Sequence, residues 1–247
     1  NCKVFESPSV RNMAEKIYDC ILIGAGAAGL MAAKELAAEG NRVCLLEAAG
    51  TAGGRIATIK GGFSGIAEAC AEFIHCPAPL TLQILDEAGI EYKEVKGKMF
   101  NVKNGKWQQE IHDDHWSEFM RQLDSLQTDI SLLQFLQEYF HGNEFAKLRA
   151  DVKRMAEGFD LADISNASVL SLKKEWQQNE DKNYRITGGF IRLVDHLLKQ
   201  CRQNRVEIFY NQFVQQIHYS TEQATVATAN GEVYKAPKII ITVSAGV

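Results

Sequence analysis

The chain has 247 residues, of which 46% are hydrophobic and 23% charged, and its formal net charge is −4. These fractions are close to the averages of folded soluble domains and exclude collagen-like, coiled-coil and disordered chains. The acidic balance offers no basic field to a phosphate backbone, so we predict no nucleic-acid partner. No apolar run reaches the ~20 residues of a membrane span, and residues 1–12 lack the apolar stretch of a signal peptide. We therefore predict no membrane association and a cytoplasmic location, with Met13 as a natural start and residues 1–12 as an upstream extension.

The cysteines of the chain do not form a recognisable metal or disulfide pattern. Cys20 and Cys44 fall inside apolar runs that are typical of buried strands, where reduced cysteines are common. Cys70 and Cys76 flank His75, but this spacing matches no zinc motif. We therefore predict reduced core cysteines and no metal site.

The first part of the chain predicts a βαβ unit. Short apolar runs over residues 17–23 and 42–46 are typical of strands buried in a parallel sheet. Between them, residues 27–39 carry apolar side chains on one helical face, and Gly40 stands where a left-handed C-terminal cap is expected. A strand, a glycine turn, a helix and a second strand follow one another in this order.

Further along, the pattern becomes helical and then returns to alternating strands and helices. The predicted elements are a helix from Pro79 to Ala88, a hairpin at Asn104-Gly105, helices near 113–126, 131–140, 144–157 and 190–202, and strands at 206–210, 214–219, 223–229 and 239–243, with a hairpin turn at Asn230-Gly231. This order indicates a nucleotide-binding domain that is interrupted by a helical insertion.

The glycine turn of the βαβ unit carries the sequence GxGxxG at residues 24–29. Gly24 permits the tight turn, Gly26 lets a pyrophosphate approach the backbone, and Gly29 allows close packing of helix on strand. Ala28 belongs to the first helical turn, whose unpaired N–H groups and dipole stabilise a diphosphate. We predict that Gly24, Gly26, Ala28 and Gly29 bind a dinucleotide.

Glu47 ends the second predicted strand, 18 residues after Gly29. A carboxylate at this point can accept hydrogen bonds from ribose hydroxyls and repels a 2′-phosphate, which favours FAD or NAD over NADP. The plainer interpretation is a glycine turn with an unrelated surface glutamate.

The stretch that follows distinguishes FAD from NAD through a family resemblance. Leu46-Glu47-Ala48 followed by Gly53-Gly54-Arg55 resembles the second signature of the flavin-containing amine oxidase family. The resemblance implies FAD as cofactor, with Ala48, Gly54 and the forked, always charged Arg55 in contact with it. Without the resemblance, Gly-Gly-Arg is only a flexible turn with a cation, and an NAD-dependent dehydrogenase is the alternative.

The resemblance continues along the rest of the chain. Residues 65–75, with Ala71, Glu72 and Phe73, are similar to the family segment that passes beside the isoalloxazine ring. Val214 is similar to the valine whose backbone meets the adenine end. The family departs from this chain in commonly having an arginine at the position of Thr51 and small glycines at those of Cys70 and Cys76.

The resemblance implies an α/β fold. We expect an FAD-binding Rossmann-like domain, with a parallel sheet, a βαβ unit and added antiparallel strands, interrupted by a mostly helical substrate subdomain. The expected limits are 13–78 and 183–247 for the FAD-binding domain, incomplete at its C-terminus, and 79–182 for the helical substrate-domain insertion.

The function implied by the resemblance is oxidation of an amine or amino acid by hydride transfer to FAD, with O2 as acceptor. The family's catalytic lysine and aromatic cage follow the point that corresponds to residue 247, so no catalytic residue is predicted and the chain alone is expected to be poorly active. A second copy or a complementary C-terminal half is a candidate partner. His75, His112 and His115 could be proposed as bases, but histidines with ordinary partners are more common.

Two alternatives stay open at the level of sequence. The first is a truncated or split dinucleotide-binding protein without turnover. The second is another member of the superfamily, similar to protoporphyrinogen oxidase or to the carotenoid desaturases.

Overall fold

The computed structural model of the protein describes residues 18–75, 78–96, 100–109, 115–158, 160, 162–178 and 182–244. Residues 1–12, Met13, Cys76 and His112 lie outside this part. The strands are β1 Cys20–Ile23, β2 Val43–Leu46, β3 Thr58–Ile59, β4 Ala67–Glu68, β5 Ile74–His75, β6 Tyr92–Glu94, β7 Phe100–Lys103, β8 Lys106–Gln109, β9 Asn183–Ile186, β10 Glu207–Phe209, β11 Val214–Tyr219, β12 Ala224–Thr228, β13 Val233–Ala236 and β14 Ile239–Ile241. The helices are α1 Ala27–Ala38, α2 Pro79–Glu87, α3 Trp116–Ser125, α4 Leu132–Tyr139, α5 Ala146–Gly158, α6 Val169–Gln178 and α7 Ile191–Gln203.

The chain folds into two compact units. The first unit consists of the described residues within 1–73, 81–93 and 185–247, and the second consists of those within 74–80 and 94–184. Among the described residues, no helix combines the length and the apolar character needed to cross a membrane.

The first unit is built on a four-stranded parallel sheet in the order β10-β2-β1-β14. The strands β1 and β2 are buried along their whole length, which explains why both are continuous apolar runs rather than alternating ones. A second sheet, the antiparallel meander β11-β12-β13, supplies the added antiparallel strands that were expected. The α/β fold class is therefore confirmed.

The parallel sheet is covered on both faces. On one face, Ile21, Ile23 and Leu46 pack with Val226 and Ala236 of the meander. On the other, α1 packs against β1, β2 and α7. The first unit therefore has three layers: the antiparallel meander, the parallel sheet, and the helices α1 and α7.

The helix α1 has the predicted bounds to within one residue. It begins at Ala27 and ends at Ala38, and Gly40 has a φ of +87°, the left-handed conformation that terminates a helix. Leu30 and Ala33 are fully buried on its inner face. The sequence signals at both ends of this helix were therefore sufficient to place it.

The second unit contains a helical core rich in aromatic rings. Phe119, Phe135 and Phe140 are fully buried and lie with ring centroids 5.6 to 5.8 Å apart. The helix α6 is absent from the sequence-based expectations. Its N-terminus is nevertheless marked by Ser168, whose hydroxyl accepts a hydrogen bond from the N–H of Ser171 at 3.0 Å.

Candidate cofactor-binding site

The glycine loop, residues 24–29, joins β1 to α1 and includes the first three residues of the helix. Gly24 has a φ of +104°, which side chains of L-residues rarely adopt, and its N–H donates to the carbonyl of Leu46 at 2.8 Å. The hydroxyl of Thr242 lies 3.0 Å from the carbonyl oxygens of both Ile23 and Gly24. Leu46 ends β2 and Thr242 follows β14, so hydrogen bonds from the two neighbours of β1 in the sheet hold the loop.

Gly29 is required for the packing of α1 on this loop. A Cβ at this position would lie 1.9 Å from the carbonyl oxygen of Gly24 and 2.7 Å from the hydroxyl oxygen of Thr242. Both distances are far below van der Waals contact, and the nearer atom belongs to the backbone and cannot swing aside. The close approach of helix and strand expected from the sequence is observed.

Gly26 has no such internal reason to be a glycine. Its φ is −74°, and a Cβ added there would meet no protein atom within 4 Å. It occupies the N-cap position of α1 without a capping side chain. The open space beside it lies where a diphosphate would approach the helix, which fits the role predicted for Gly26.

The N-terminus of α1 presents amides that precede its hydrogen-bond ladder. The first bond of the helical ladder runs from the N–H of Leu30 to the carbonyl of Gly26 at 2.9 Å, so the amides of residues 27–29 precede the ladder. Ala28 is exposed in this first turn. The helix dipole adds about half a positive charge at the same place, so this end of α1 can bind an anion without a lysine.

The N-terminus of α7 provides a contrast within the same unit. There the N–H of Phe190 donates to the Glu68 carboxylate at 2.7 Å, and the N–H of Ile191 donates to the Thr58 hydroxyl at 3.1 Å. Because a carboxylate of the chain already occupies this helix end, it offers no comparable anion site. Of these two helix ends, α1 is the open one.

Glu47 lies beside the glycine loop, as the sequence predicts. Its carboxylate accepts hydrogen bonds from the N–H of Ala25 at 2.6 Å and from the N–H of Ala49 at 2.8 Å. A carboxylate has about four acceptor positions, so two amide donors leave room for ribose hydroxyls. The two bonds fix the orientation of the group that is proposed to hold the ribose.

A cavity of about 470 Å³ opens at the carboxyl ends of β1, β2 and β14. It will be called the strand-end cavity. Gly24, Glu47, Ala48 and Val214 line it, and so do the apolar side chains of Ile217 and Ile241. Ligands of open parallel sheets bind in this position, and an apolar cavity with one carboxylate suits a nucleoside.

Gln212 also lines the strand-end cavity, although it is not among the site residues predicted from the sequence. Its side-chain oxygen Oε1 is buried and has no hydrogen-bond partner among the described residues. Leaving a buried acceptor unpaired costs about 1–3 kcal/mol, so the site contains a polar atom that a ligand could satisfy. This orphaned oxygen, the space beside Gly26 and the Glu47 carboxylate together fit the adenosine diphosphate part of FAD.

The second signature docks on the glycine loop. The N–H of Gly53 donates to the carbonyl of Ala25 at 2.9 Å, and a Cβ at Gly54 would lie 3.4 Å from the Cα of Gly26. Arg55 follows immediately and is exposed. Its guanidinium makes no hydrogen bond or ion pair with any residue in the described part of the chain.

The segment predicted to pass beside the flavin ring, residues 71–73, lies next to Arg55 and not in the strand-end cavity. The N–H of Ala71 donates to the carbonyl of Arg55 at 3.0 Å. Glu72 forms an ion pair with Arg185, whose guanidinium carbon also lies 5.6 Å from the ring centroid of Phe73. Ala71, Glu72 and Phe73 are absent from the lining of the cavity, so their contact with a flavin stays a prediction.

The described histidines proposed as bases have local partners. His75 Nδ1 lies 2.7 Å from Asn183 Oδ1. The His115 ring meets Phe145 edge-on at 4.7 Å and lies near the Glu118 carboxylate. These contacts match the ordinary structural roles that were expected.

Fold and site together define an α/β protein of the dinucleotide-binding class. A comparison with protein families then identifies the family: residues 27–247 match the model of the flavin-containing amine oxidoreductases, and the chain belongs to this family. The cofactor is accordingly FAD. The resemblance and the cofactor predicted from the sequence are confirmed.

Solved structures share the fold. Putrescine oxidase bound to putrescine is 20% identical, with a TM-score of 0.73 over 93% of this chain and 58% of its own. Cyclohexylamine oxidase from Brevibacterium oxydans IH-35A is 19% identical, with a TM-score of 0.73 over 92% of this chain and 58% of its own. A protein of Pyrococcus furiosus is 23% identical, with a TM-score of 0.66 over 92% of this chain and 59% of its own. The chain therefore spans a little under three fifths of the length of these structures.

Proposed function

We propose that this chain provides the FAD-binding site of an oxidoreductase that oxidises an amine or an amino acid, with O2 as the final electron acceptor. The observation that carries the proposal is the open N-terminus of α1, where Gly26 leaves space for a diphosphate and Glu47 is fixed 2.6 Å from the adjoining amide of Ala25. When bound, FAD supplies the hydride acceptor of the reaction.

Each part of the site has a binding role in this proposal. The amides of residues 27–29 and the α1 dipole hold the diphosphate, and the carboxylate of Glu47 holds the ribose. Val214 and its apolar neighbours exclude water from the adenine. Arg55 adds a forked cation on the side of the glycine loop where Gly53 and Gly54 dock.

The substrate class rests on the family and not on a described substrate pocket. The family comprises amine oxidoreductases, and two structures with the same fold are named as oxidases of putrescine and of cyclohexylamine. Both names refer to aliphatic amines, so we propose such amines, together with amino acids, as the first compounds to test.

The second candidate is a dinucleotide-binding protein without turnover. It requires only the glycine loop, Glu47 and the strand-end cavity, which the structure describes. It predicts the same FAD affinity but no reaction with amines, so binding and turnover must be measured separately.

The proposal is tested by mixing the chain with FAD, removing free cofactor and recording the flavin absorbance. The loaded protein is then titrated without oxygen with putrescine, cyclohexylamine and an L-amino acid. Stoichiometric FAD binding followed by bleaching with one of these compounds, even slow bleaching, supports the oxidase, because the titration requires only a single reduction of the flavin. FAD binding without bleaching favours the second candidate, and a colourless protein refutes the assignment of the site.

A further inference from the structure

We infer that Glu68 is a positioning residue for the cofactor: it fixes the β3–β4 hairpin on the N-terminus of α7 and thereby sets the place of Arg55 beside the glycine loop. The inference rests on the proposed function, because Arg55 is the cation that the proposal assigns to FAD. Its starting observation is a half-buried carboxylate that joins two segments 122 positions apart in the sequence.

The carboxylate of Glu68 uses both of its oxygens in this joint. Oε1 accepts from the N–H of Phe190 at 2.7 Å, and Oε2 accepts from the hydroxyl of Thr58 at 2.7 Å. The Thr58 hydroxyl in turn accepts from the N–H of Ile191 at 3.1 Å. Thr58 and Glu68 are direct partners across the β3–β4 pair. Two amides at the start of α7 are therefore bound by two facing side chains of one hairpin, and the helix dipole favours the carboxylate there.

The turn that leads into α7 is shaped for close packing on the hairpin. Gly189 has a φ of +96°, which side chains of L-residues rarely adopt. A Cβ at this position would lie 2.7 Å from Cγ2 of Thr58 and 3.2 Å from Cγ2 of Ile66. The bonds of Glu68 are therefore made at a tight contact between hairpin and turn, where small movements change them.

The hairpin extends this anchor to Arg55. Beyond the paired strands, the N–H of Ala69 donates to the carbonyl of Ala57 at 2.8 Å. Two residues further, the N–H of Ala71 donates to the carbonyl of Arg55 at 3.0 Å. Arg55 thus lies on the same ladder as Glu68. Within the described residues nothing binds its guanidinium, so the position of its backbone decides where the charge can reach.

Two other contacts connect the hairpin to the diphosphate site. On one side of Arg55, the N–H of Gly53 donates to the carbonyl of Ala25 in the glycine loop at 2.9 Å. On the other side, α7 packs against α1, whose first amides are proposed to hold the diphosphate. Loss of the Glu68 bonds should loosen the hairpin on α7 and spread the positions of the Arg55 charge.

The test is a double-mutant cycle on FAD affinity, measured by fluorescence titration of the full chain. Arg55→Ala should weaken FAD about ten-fold. Glu68→Ala should weaken it by about three- to ten-fold, because it can remove no more than the Arg55 contact. The double variant should bind FAD no more weakly than Arg55→Ala. A merely structural role of Glu68 would instead give effects that multiply.

A second pair of variants keeps the test valid if Glu68→Ala folds poorly. Thr58→Val keeps the shape of the side chain and removes the hydroxyl shared by Glu68 and Ile191, so it should weaken FAD and lose this effect beside Arg55→Ala. Thr58→Ser keeps the hydroxyl and should bind FAD as wild type does.

The control is Ser168→Ala, which removes a helix cap in the second unit. It should lower the melting temperature by about 2–4 °C and leave FAD affinity unchanged. Equal losses of affinity in Ser168→Ala and Glu68→Ala would show that general destabilisation explains both, which overturns the inference.

The remaining contrary results are distinguishable. If Glu68→Ala weakens FAD equally with and without Arg55, or not at all, Glu68 does not position Arg55 and the inference fails while the FAD site stands. If Arg55→Ala binds FAD like wild type, the inference fails together with the assignment of Arg55. If the wild-type chain does not bind FAD, the proposed function fails and the role of Glu68 fails with it.

Discussion

Replacement by alanine should affect two glycines of one motif differently: at Gly29 it should lower stability, and at Gly26 it should weaken FAD binding. At Gly29, the new Cβ would lie 1.9 Å from the carbonyl oxygen of Gly24. The helix must then separate from the strand, and we expect a loss of about 3 kcal/mol of stability, the upper end for overpacking, because the obstacle is backbone. This corresponds to a fall in melting temperature of roughly 6 to 12 °C.

Gly26→Ala should leave the fold almost unchanged. The added Cβ meets no protein atom within 4 Å, and the φ of −74° suits alanine. Alanine gains about 0.4–1 kcal/mol by restricting the unfolded chain, but it is a poorer N-cap than glycine by a comparable amount. We expect a net change within about 0.5 kcal/mol.

The same Gly26→Ala substitution should weaken FAD binding strongly. Its methyl group would stand in the space through which the diphosphate approaches the first amides of α1. An overpacking cost of about 1–3 kcal/mol in the complex corresponds to a loss of roughly 5- to 150-fold in affinity. Thermal unfolding of the free chain and fluorescence titration with FAD measure the two effects independently.

The reasoning is refuted by either of two results. One is a Gly26→Ala variant that binds FAD as tightly as wild type, since the space beside Gly26 would then not belong to the cofactor. The other is a Gly26→Ala variant as unstable as Gly29→Ala, since the structure shows room at the first position and none at the second.

Three further predictions concern single side chains. Glu47→Gln should lower the free energy of unfolding in urea by about 1–3 kcal/mol, because one of two amide donors loses its acceptor. The exposed Glu39→Gln should change this free energy by less than about 0.5 kcal/mol, and equal losses in the two variants would contradict the role of Glu47. Arg55→Ala should keep wild-type stability within about 0.5 kcal/mol and weaken FAD about ten-fold in a fluorescence titration; unchanged affinity would remove Arg55 from the site. Burial raises the pKa of the Cys201 thiol from 9.0 to about 11, so the stability that this thiol contributes is complete below pH 9.0 and is lost as the pH rises to about 11. Cys201→Ala should therefore make the urea midpoint depend less on pH over this range, whereas Cys70→Ser, at an exposed position, should leave the dependence as in wild type.

The local elements of the first unit could be predicted from the sequence because their signals are local. The strand β11 has the predicted bounds of 214–219, and α1 differs by one residue. Short apolar runs, glycine at a helix end and the spacing of GxGxxG each depend on neighbouring residues. The helix α6 carries a serine cap that was equally local and was overlooked.

The composition of the site could be predicted only in part. Glu47 and the glycine loop follow from a motif with fixed spacing. The flavin-side segment, with Ala71 and Glu72, depended on a family resemblance, and in the structure the Glu72 carboxylate is paired with Arg185. A sequence pattern indicates which residues share a segment, but not which distant cation a carboxylate contacts.

The sequence by itself determined the βαβ unit, its glycine loop and the acid at the end of the second strand, and the family resemblance of Gly53-Gly54-Arg55 added the cofactor. Only the tertiary structure decided that Thr242 holds the loop from a distance of 218 positions, that Gly53 docks on it, and that Gln212 reaches the strand-end cavity with an unpaired oxygen. The physical reason is that backbone periodicity and turn preferences act over a few residues, whereas a cavity is formed by the ends of strands that are separated in sequence and adjacent only in the folded sheet.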